Sequence, residues 1–209
     1  MLHDLLFPQL AGHTWARVNL NDIALEHAGE VEARDAVTDE HWVDLLHQML
    51  GVDHSWGGWM EARHFLMKGQ YHKNVGPDHF WHLGVDFNVP ANTAVHLPVD
   101  GELVHSEMDP DQDGGWGGKL IFKYDQGWFI LGHLNEIVTQ KRWYKAGDPV
   151  AIVGHRAVNG NWFPHLHVQC LTTLSVNVDG YSHLYPGLEQ DYPNPMRMLC
   201  VDDEENQLV

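Results

Sequence analysis

The sequence predicts a mainly β domain preceded by a small α-helical amino-terminal extension. From about Phe80 to Leu174 the apolar residues fall in short runs punctuated by glycine and proline, as in HLGVDFNVP, GGKLIFKYDQGWFILGHL and DPVAIVGH. Short strands at regular spacing with turn signals indicate a sandwich or small barrel built from hairpins. Before that region, Asp39 to Leu50 places Trp42, Leu45, Leu46, Met49 and Leu50 at helical spacing, the pattern of an amphipathic helix. At 209 residues the chain can bury one real core but not two comfortable ones.

In chain order, residues 1–75 form the extension, 76–200 the β domain and 201–209 an acidic tail carrying Asp202, Asp203, Glu204 and Glu205. Thr38 is placed to cap the helix and Gly51 to stop it, and the apolar stripe is expected to lie on the sheet. Trp56-Gly57-Gly58-Trp59 reads as a loop. Glu61 to Lys68 reads as a short helix or an extended arm, with Glu61 and His64 an exposed pair. Lys119 to Tyr124 and Trp128 to His133, joined through Asp125-Gln126-Gly127, form a hairpin. Asp111 to Gly118 is too rich in glycine for anything but a loop.

The 12 Lys+Arg against 29 Asp+Glu give a net charge of −17, which repels nucleic acid and anionic lipid. The amino terminus lacks a basic segment followed by an apolar run of signal length, and no stretch approaches a membrane span. A soluble, cytoplasmic protein is expected on these grounds. Cys170 and Cys200 form no CxxC pair and suit a reducing compartment.

The chemistry concentrates in Phe163-Pro164-His165-Leu166-His167-Val168-Gln169-Cys170. Residues two apart on a strand share a face, so His165 and His167 look out together while Leu166, Val168 and Cys170 look inward. In Trp81-His82-Leu83-Gly84-Val85-Asp86-Phe87, His82, Gly84 and Asp86 share a face in the same way, the small Gly84 leaving room for an ion. Two imidazoles and a carboxylate, with a position left for water, make the ligand set of a catalytic zinc ion. Spacing alone leaves open which of His165 and His167 is the ligand. His133, at a strand end in Leu131-Gly132-His133-Leu134, is a further imidazole for proton transfer. The HExxH motif with its glutamate base is absent, and none of Ser55, Ser106, Ser175 and Ser182 lies in a GxSxG setting. His3, His13, His27, His41 and His47 lack a partner pattern and read as surface or hydrogen-bonded residues.

HLGVD at 82–86, GGWGG at 114–118, GHL at 132–134, GDPVAIVG at 147–154 and PHLH at 164–167 come in the order and rough spacing of the lysostaphin-type (LytM-like) zinc endopeptidases. The chain resembles that family over about residues 80–171. The resemblance implies an antiparallel β-sheet folded into a groove and one Zn2+ ion held by His82, Asp86 and His167. It implies that His133 and His165 assist catalysis, on a peptide or muropeptide substrate such as a glycine-containing cell-wall cross-link. Three departures bear on substrate identity: Gly118 replaces the usual asparagine, Leu131 replaces a frequent tyrosine, and His155 to Trp162 is bulkier and more polar than the family's approach to PHLH. Two other readings of the ligand set are a zinc-binding, non-hydrolytic module of the same fold and a cupin-like iron oxygenase. The oxygenase calls for a glutamate soon after HxH, and none occurs before Glu189.

Overall fold

The computed structural model describes residues 1–26, 40–66, 78–111, 115–159, 161–176 and 178–200, with the side chains of 40 and 41 outside that description. Thr38, the 75/76 boundary, the 201–209 tail and the side chains of His27 and His41 therefore lie outside the described residues.

The chain opens with α1 (Leu2–Leu6), a 3-10 turn (Pro8–Leu10), β1 (Trp15–Val18), α2 (Leu20–Glu26), α3 (Glu40–Leu50) and β2 (His54–Gly57). The β domain follows as β3 (Trp81–His82), β4 (Val85–Asn88), β5 (Ala94–His96), β6 (Gly101–Met108), β7 (Gly118–Tyr124), β8 (Gly127–Asn135), β9 (Trp143–Tyr144), β10 (Pro149–Val153), β11 (Leu166–Leu171) and β12 (Tyr181–Ser182). Two one-turn helices, α4 (Leu188–Asp191) and α5 (Pro195–Met198), close the described chain.

Ten strands form one sheet, with β1-β2-β4-β11-β8-β7-β6-β9 in order and β10 pairing both β5 and β8. The named pairs are antiparallel except β1 with β2, which run parallel. The extension is thus more than helical: β2 pairs with β4 through Ser55–Asn88 and Gly57–Asp86, and β1 adds outside it. Trp56 and Gly57 belong to β2 rather than to a loop, because their backbone groups complete the edge that β4 leaves open. The predicted hairpin is present, with Tyr124 paired to Gly127 and the left-handed Gly127 (φ 145°) turning the chain.

Alternation assigns the faces. Val85 and Phe87 of β4, Leu120 and Phe122 of β7, Phe129 and Leu131 of β8, and Leu166, Val168 and Cys170 of β11 are buried in one core, which Leu2, Leu6 and Phe7 also enter. A second cluster joins Val18, Leu20 and Ala24 to Val43 and Leu46 of α3 and to Trp162 and Phe163. The helical stripe is rotated from its expected setting: Val43 and Leu46 are buried while Met49 and Leu50 are exposed. Gly51 (φ 66°) ends α3 as predicted. Among the described residues no helix is long and apolar enough to cross a membrane.

Candidate metal centre

The site lies on the face of β4, β11 and β8 opposite the main core. Strand register sets it: His167 of β11 stands between Asp86 of β4 and Gly132 of β8. His82 arrives from β3, separated from β4 by Leu83 and Gly84. A Cβ on Gly84 would fall 2.5 Å from His167 Nε2 and 2.6 Å from the Val168 carbonyl oxygen. The space Gly84 leaves is therefore filled by the His167 ring, not kept for an ion as the sequence suggested.

His82, Asp86 and His167 converge, all buried, with one ligand atom from each within 4.8 Å of the others. His82 Nε2 is 3.1 Å from His167 Nδ1 and 3.3 Å from Asp86 Oδ2, and His167 Nδ1 is 3.0 Å from Asp86 Oδ1. Zinc–ligand bonds of ~2.05 Å in a tetrahedron give ligand–ligand edges of ~3.3 Å, so the spacing fits that ion. The ring protons fit as well, as assigned from their partners. His82 Nδ1–H donates to the Gly58 carbonyl oxygen at 2.9 Å, and His167 Nε2–H donates to Gln169 Oε1 at 3.0 Å. Gln169 is oriented by its own amide, which donates to the Asp179 carbonyl oxygen. Both nitrogens that face each other are thereby lone-pair donors beside a carboxylate, an arrangement that a cation satisfies.

The remaining two sequence-predicted residues join them. His165 Nδ1–H donates to the Phe163 carbonyl oxygen at 2.8 Å, leaving Nε2 directed to the site 3.9 Å from Asp86 Oδ1. The His133 ring centroid lies 4.5 Å from that of His165. Simple alternation would turn His133 into the core, but β8 pairs Leu131 with Leu120 and Leu134 with Gly118, a one-residue bulge. His133 takes a left-handed φ of 62° there and so swings onto the same face as Gly132. Trp116 stacks on His133 at 5.7 Å and occupies the space above Gly132.

Burial governs the charges. It pushes His82 down to about 3, with Arg63 adding to the effect. It lowers His165, partly offset by Asp86, and holds His133 well below the usual imidazole range. Burial alone would raise Asp86, but facing His82, Arg63 and His165 hold its carboxyl well below the usual range.

Several contributors escaped the sequence reading. Arg63 is 1% exposed and its Nη1 donates to Asp86 Oδ2 at 2.7 Å. Glu61 is buried rather than an exposed partner of His64: it accepts from the Asn21 backbone N–H at 2.8 Å and faces Arg63. Residues 61–63 are not helical, with Ala62 bridging Trp81 of β3. Tyr181 OH accepts from Arg63 at 3.1 Å.

Residues 81–180 match the model of peptidase family M23. Among solved structures, a zinc-containing peptidase from Vibrio cholerae is 26% identical over 46% of this chain and 28% of its own, with a TM-score of 0.39. A putative M23 peptidase from Pseudomonas aeruginosa is 24% identical over 43% of this chain and 37% of its own, at 0.37. The catalytic domain of lysostaphin from Staphylococcus simulans is 19% identical over 78% of this chain and 98% of its own, at 0.47. The chain thus spans well under half the length of the first two. No curated protein matches it.

Proposed function

We propose that this protein, whose residues 81–180 match the model of peptidase family M23, is a zinc-dependent endopeptidase that hydrolyses amide bonds in short peptides, glycine-containing cell-wall cross-links among them. The observation that carries this reading is the meeting of His82 Nε2, His167 Nδ1 and Asp86 with both ring protons turned away from the meeting point.

In this reading His82, Asp86 and His167 hold one zinc ion, which supplies Lewis acidity toward water and toward a peptide carbonyl. His165 and His133 handle protons. Both are kept neutral by burial, so His165 presents a free lone pair and His133 a ring N–H. His165 is the better placed base, because Nδ1 is committed to Phe163 and Nε2 alone faces inward. A proton taken there from water passes to the departing amine, while the neighbouring imidazole of His133 stabilises charge on the carbonyl oxygen. The bulge that aims His133 and the register that sets His167 beside Asp86 fix these groups before substrate arrives.

The test is elemental analysis of the purified protein, paired with a cleavage screen on muropeptides and oligoglycine. One zinc per chain and chelator-sensitive cleavage are expected. A protein that binds zinc stoichiometrically yet cleaves neither class would favour a non-hydrolytic module and overturn the proposal.

A further inference from the structure

Arg63 lies outside residues 81–180, on the segment that follows β2, yet its guanidinium sits against the Asp86 carboxylate. Resting on the zinc reading above, we propose that Arg63 is the positioning residue of the Asp86 carboxylate, and that Gly58 to Arg63 is a fixed wall of the metal centre.

A buried guanidinium costs several kcal/mol unless its partners are close and well placed. Here Nη1 donates to Asp86 Oδ2 at 2.7 Å and to Tyr181 OH at 3.1 Å, Nε lies 3.3 Å from Glu61 Oε1, and the guanidinium carbon is 5.8 Å from the centre of the Trp162 ring. Asp86 and Tyr181 share the Nη1 corner of the fork, while Glu61 accepts from Nη2 at 3.5 Å and faces Nε as an ion pair without a hydrogen bond to it. The result is a carboxylate held in one orientation, its Oδ2 engaged by Arg63 and its Oδ1 directed to His167 Nδ1 at 3.0 Å.

Charge explains why Glu61 is buried beside it. Arg63 against Asp86 alone would neutralise the carboxylate that a dication needs. With Glu61 included, one guanidinium faces two carboxylates, and the trio keeps a net charge of about −1 for the cation.

The backbone locks this wall to the ligand strand. Met60 N–H donates to the His82 carbonyl oxygen at 2.9 Å, His82 N–H to Glu61 at 3.0 Å and Arg63 N–H to Phe80 at 2.8 Å. The same segment provides the Gly58 carbonyl that sets the His82 tautomer. Segment and ligand strand are therefore tied together through the backbone.

The experiment compares the full-length parent with Arg63→Met and Glu61→Gln. Zinc affinity is measured by competition with a chromophoric chelator, and the visible spectrum is recorded after Co2+ replaces zinc. Arg63→Met is expected to weaken zinc about 10–100-fold, the range for partners of metal ligands, and to shift the cobalt bands. Glu61→Gln, which leaves Arg63 in place, is expected to shift them less while also weakening zinc. Parental affinity and an unchanged cobalt spectrum in a folded Arg63→Met protein would overturn the proposal. Should circular dichroism show that variant unfolded, parental values in Glu61→Gln would overturn it. A parent that takes up neither zinc nor cobalt overturns the metal reading itself, and this inference with it.

Discussion

His82 Nε2 and His167 Nδ1 face each other across 3.1 Å, and with the ring protons assigned to the Gly58 carbonyl oxygen and Gln169 Oε1 neither points into that gap. Two lone pairs beside the Asp86 carboxylate suit a cation, so on the proposed zinc reading metal uptake is expected to stabilise the fold. At a free zinc concentration one hundred times Kd the gain is about 2.7 kcal/mol, which for a chain of this size raises Tm by roughly 5–10 °C. Calorimetry with zinc and with chelator checks this. His82→Ala and Asp86→Ala are expected to abolish both the shift and stoichiometric zinc, and a chelator-insensitive Tm in the parent contradicts the prediction.

His133 is in ring contact with His165, but its nitrogens are not among the converging donors. His133→Ala is expected to retain zinc at parental stoichiometry while turnover falls about 10²- to 10³-fold, the usual cost of losing one group that stabilises a developing oxyanion. Metal analysis and initial rates on the same preparation separate the two. Turnover at the parental rate would remove His133 from the mechanism.

Stability is expected to fall on the acid side for a reason remote from the metal. His54 of β2 is pushed down to about 4 by burial, with His13 and His47 adding to the effect and Asp53 opposing it. Its Nδ1 is buried without a partner. In the unfolded chain the imidazole binds its proton near pH ~6.5, so between ~6.5 and about 4 the unfolded state holds more protons than the folded one. The contribution of neutral His54 is complete above pH ~6.5 and is lost as pH falls through that window. Denaturant midpoints measured from pH 7.5 to 4.5 are expected to decline, and less steeply in His54→Gln.

Gly58 has a φ of 104°, and a Cβ there would fall 2.5 Å from Arg63 Nη2 and 2.7 Å from His82 Nδ1. Gly58→Ala is expected to lower stability by at least ~1–2 kcal/mol from the backbone alone, and to weaken zinc by displacing the carbonyl that orients His82. Gly147→Ala is the control, because its φ of 87° carries similar strain with no atom within 4 Å of the added carbon. Equal zinc affinity in the two variants would show that Gly58 has no part in the metal centre.

The legible parts of this molecule were those written in local periods. Alternation in β11 and β4 separated Val168 and Val85 from His167 and Asp86, and the Asp125-Gln126-Gly127 turn announced the hairpin. Arg63 and Glu61 were not legible, because in the polar stretch MEARH a charged side chain reads as solvated. Their burial depends on Tyr181, Trp162 and Asn21, which lie far along the chain. β2 is not legible because HSWG has neither alternation nor length, and only the open edge of β4 makes it a strand. The setting of α3 is not legible locally either, since its neighbours are Trp162 and Phe163 as well as the extension itself.

Leu2, Leu6 and Phe7 are wholly buried in the core shared by β4, β7, β8 and β11, and β2 covers the outer side of β4. A fragment trimmed to the family-matched stretch would uncover a greasy hollow where three large side chains had sat, each worth about 1.5–3 kcal/mol on burial. It would also expose a naked row of β4 amides open to pairing with another molecule. Recombinant work on this protein should therefore keep the leading residues, since the shorter piece would present that hollow and that edge to solvent.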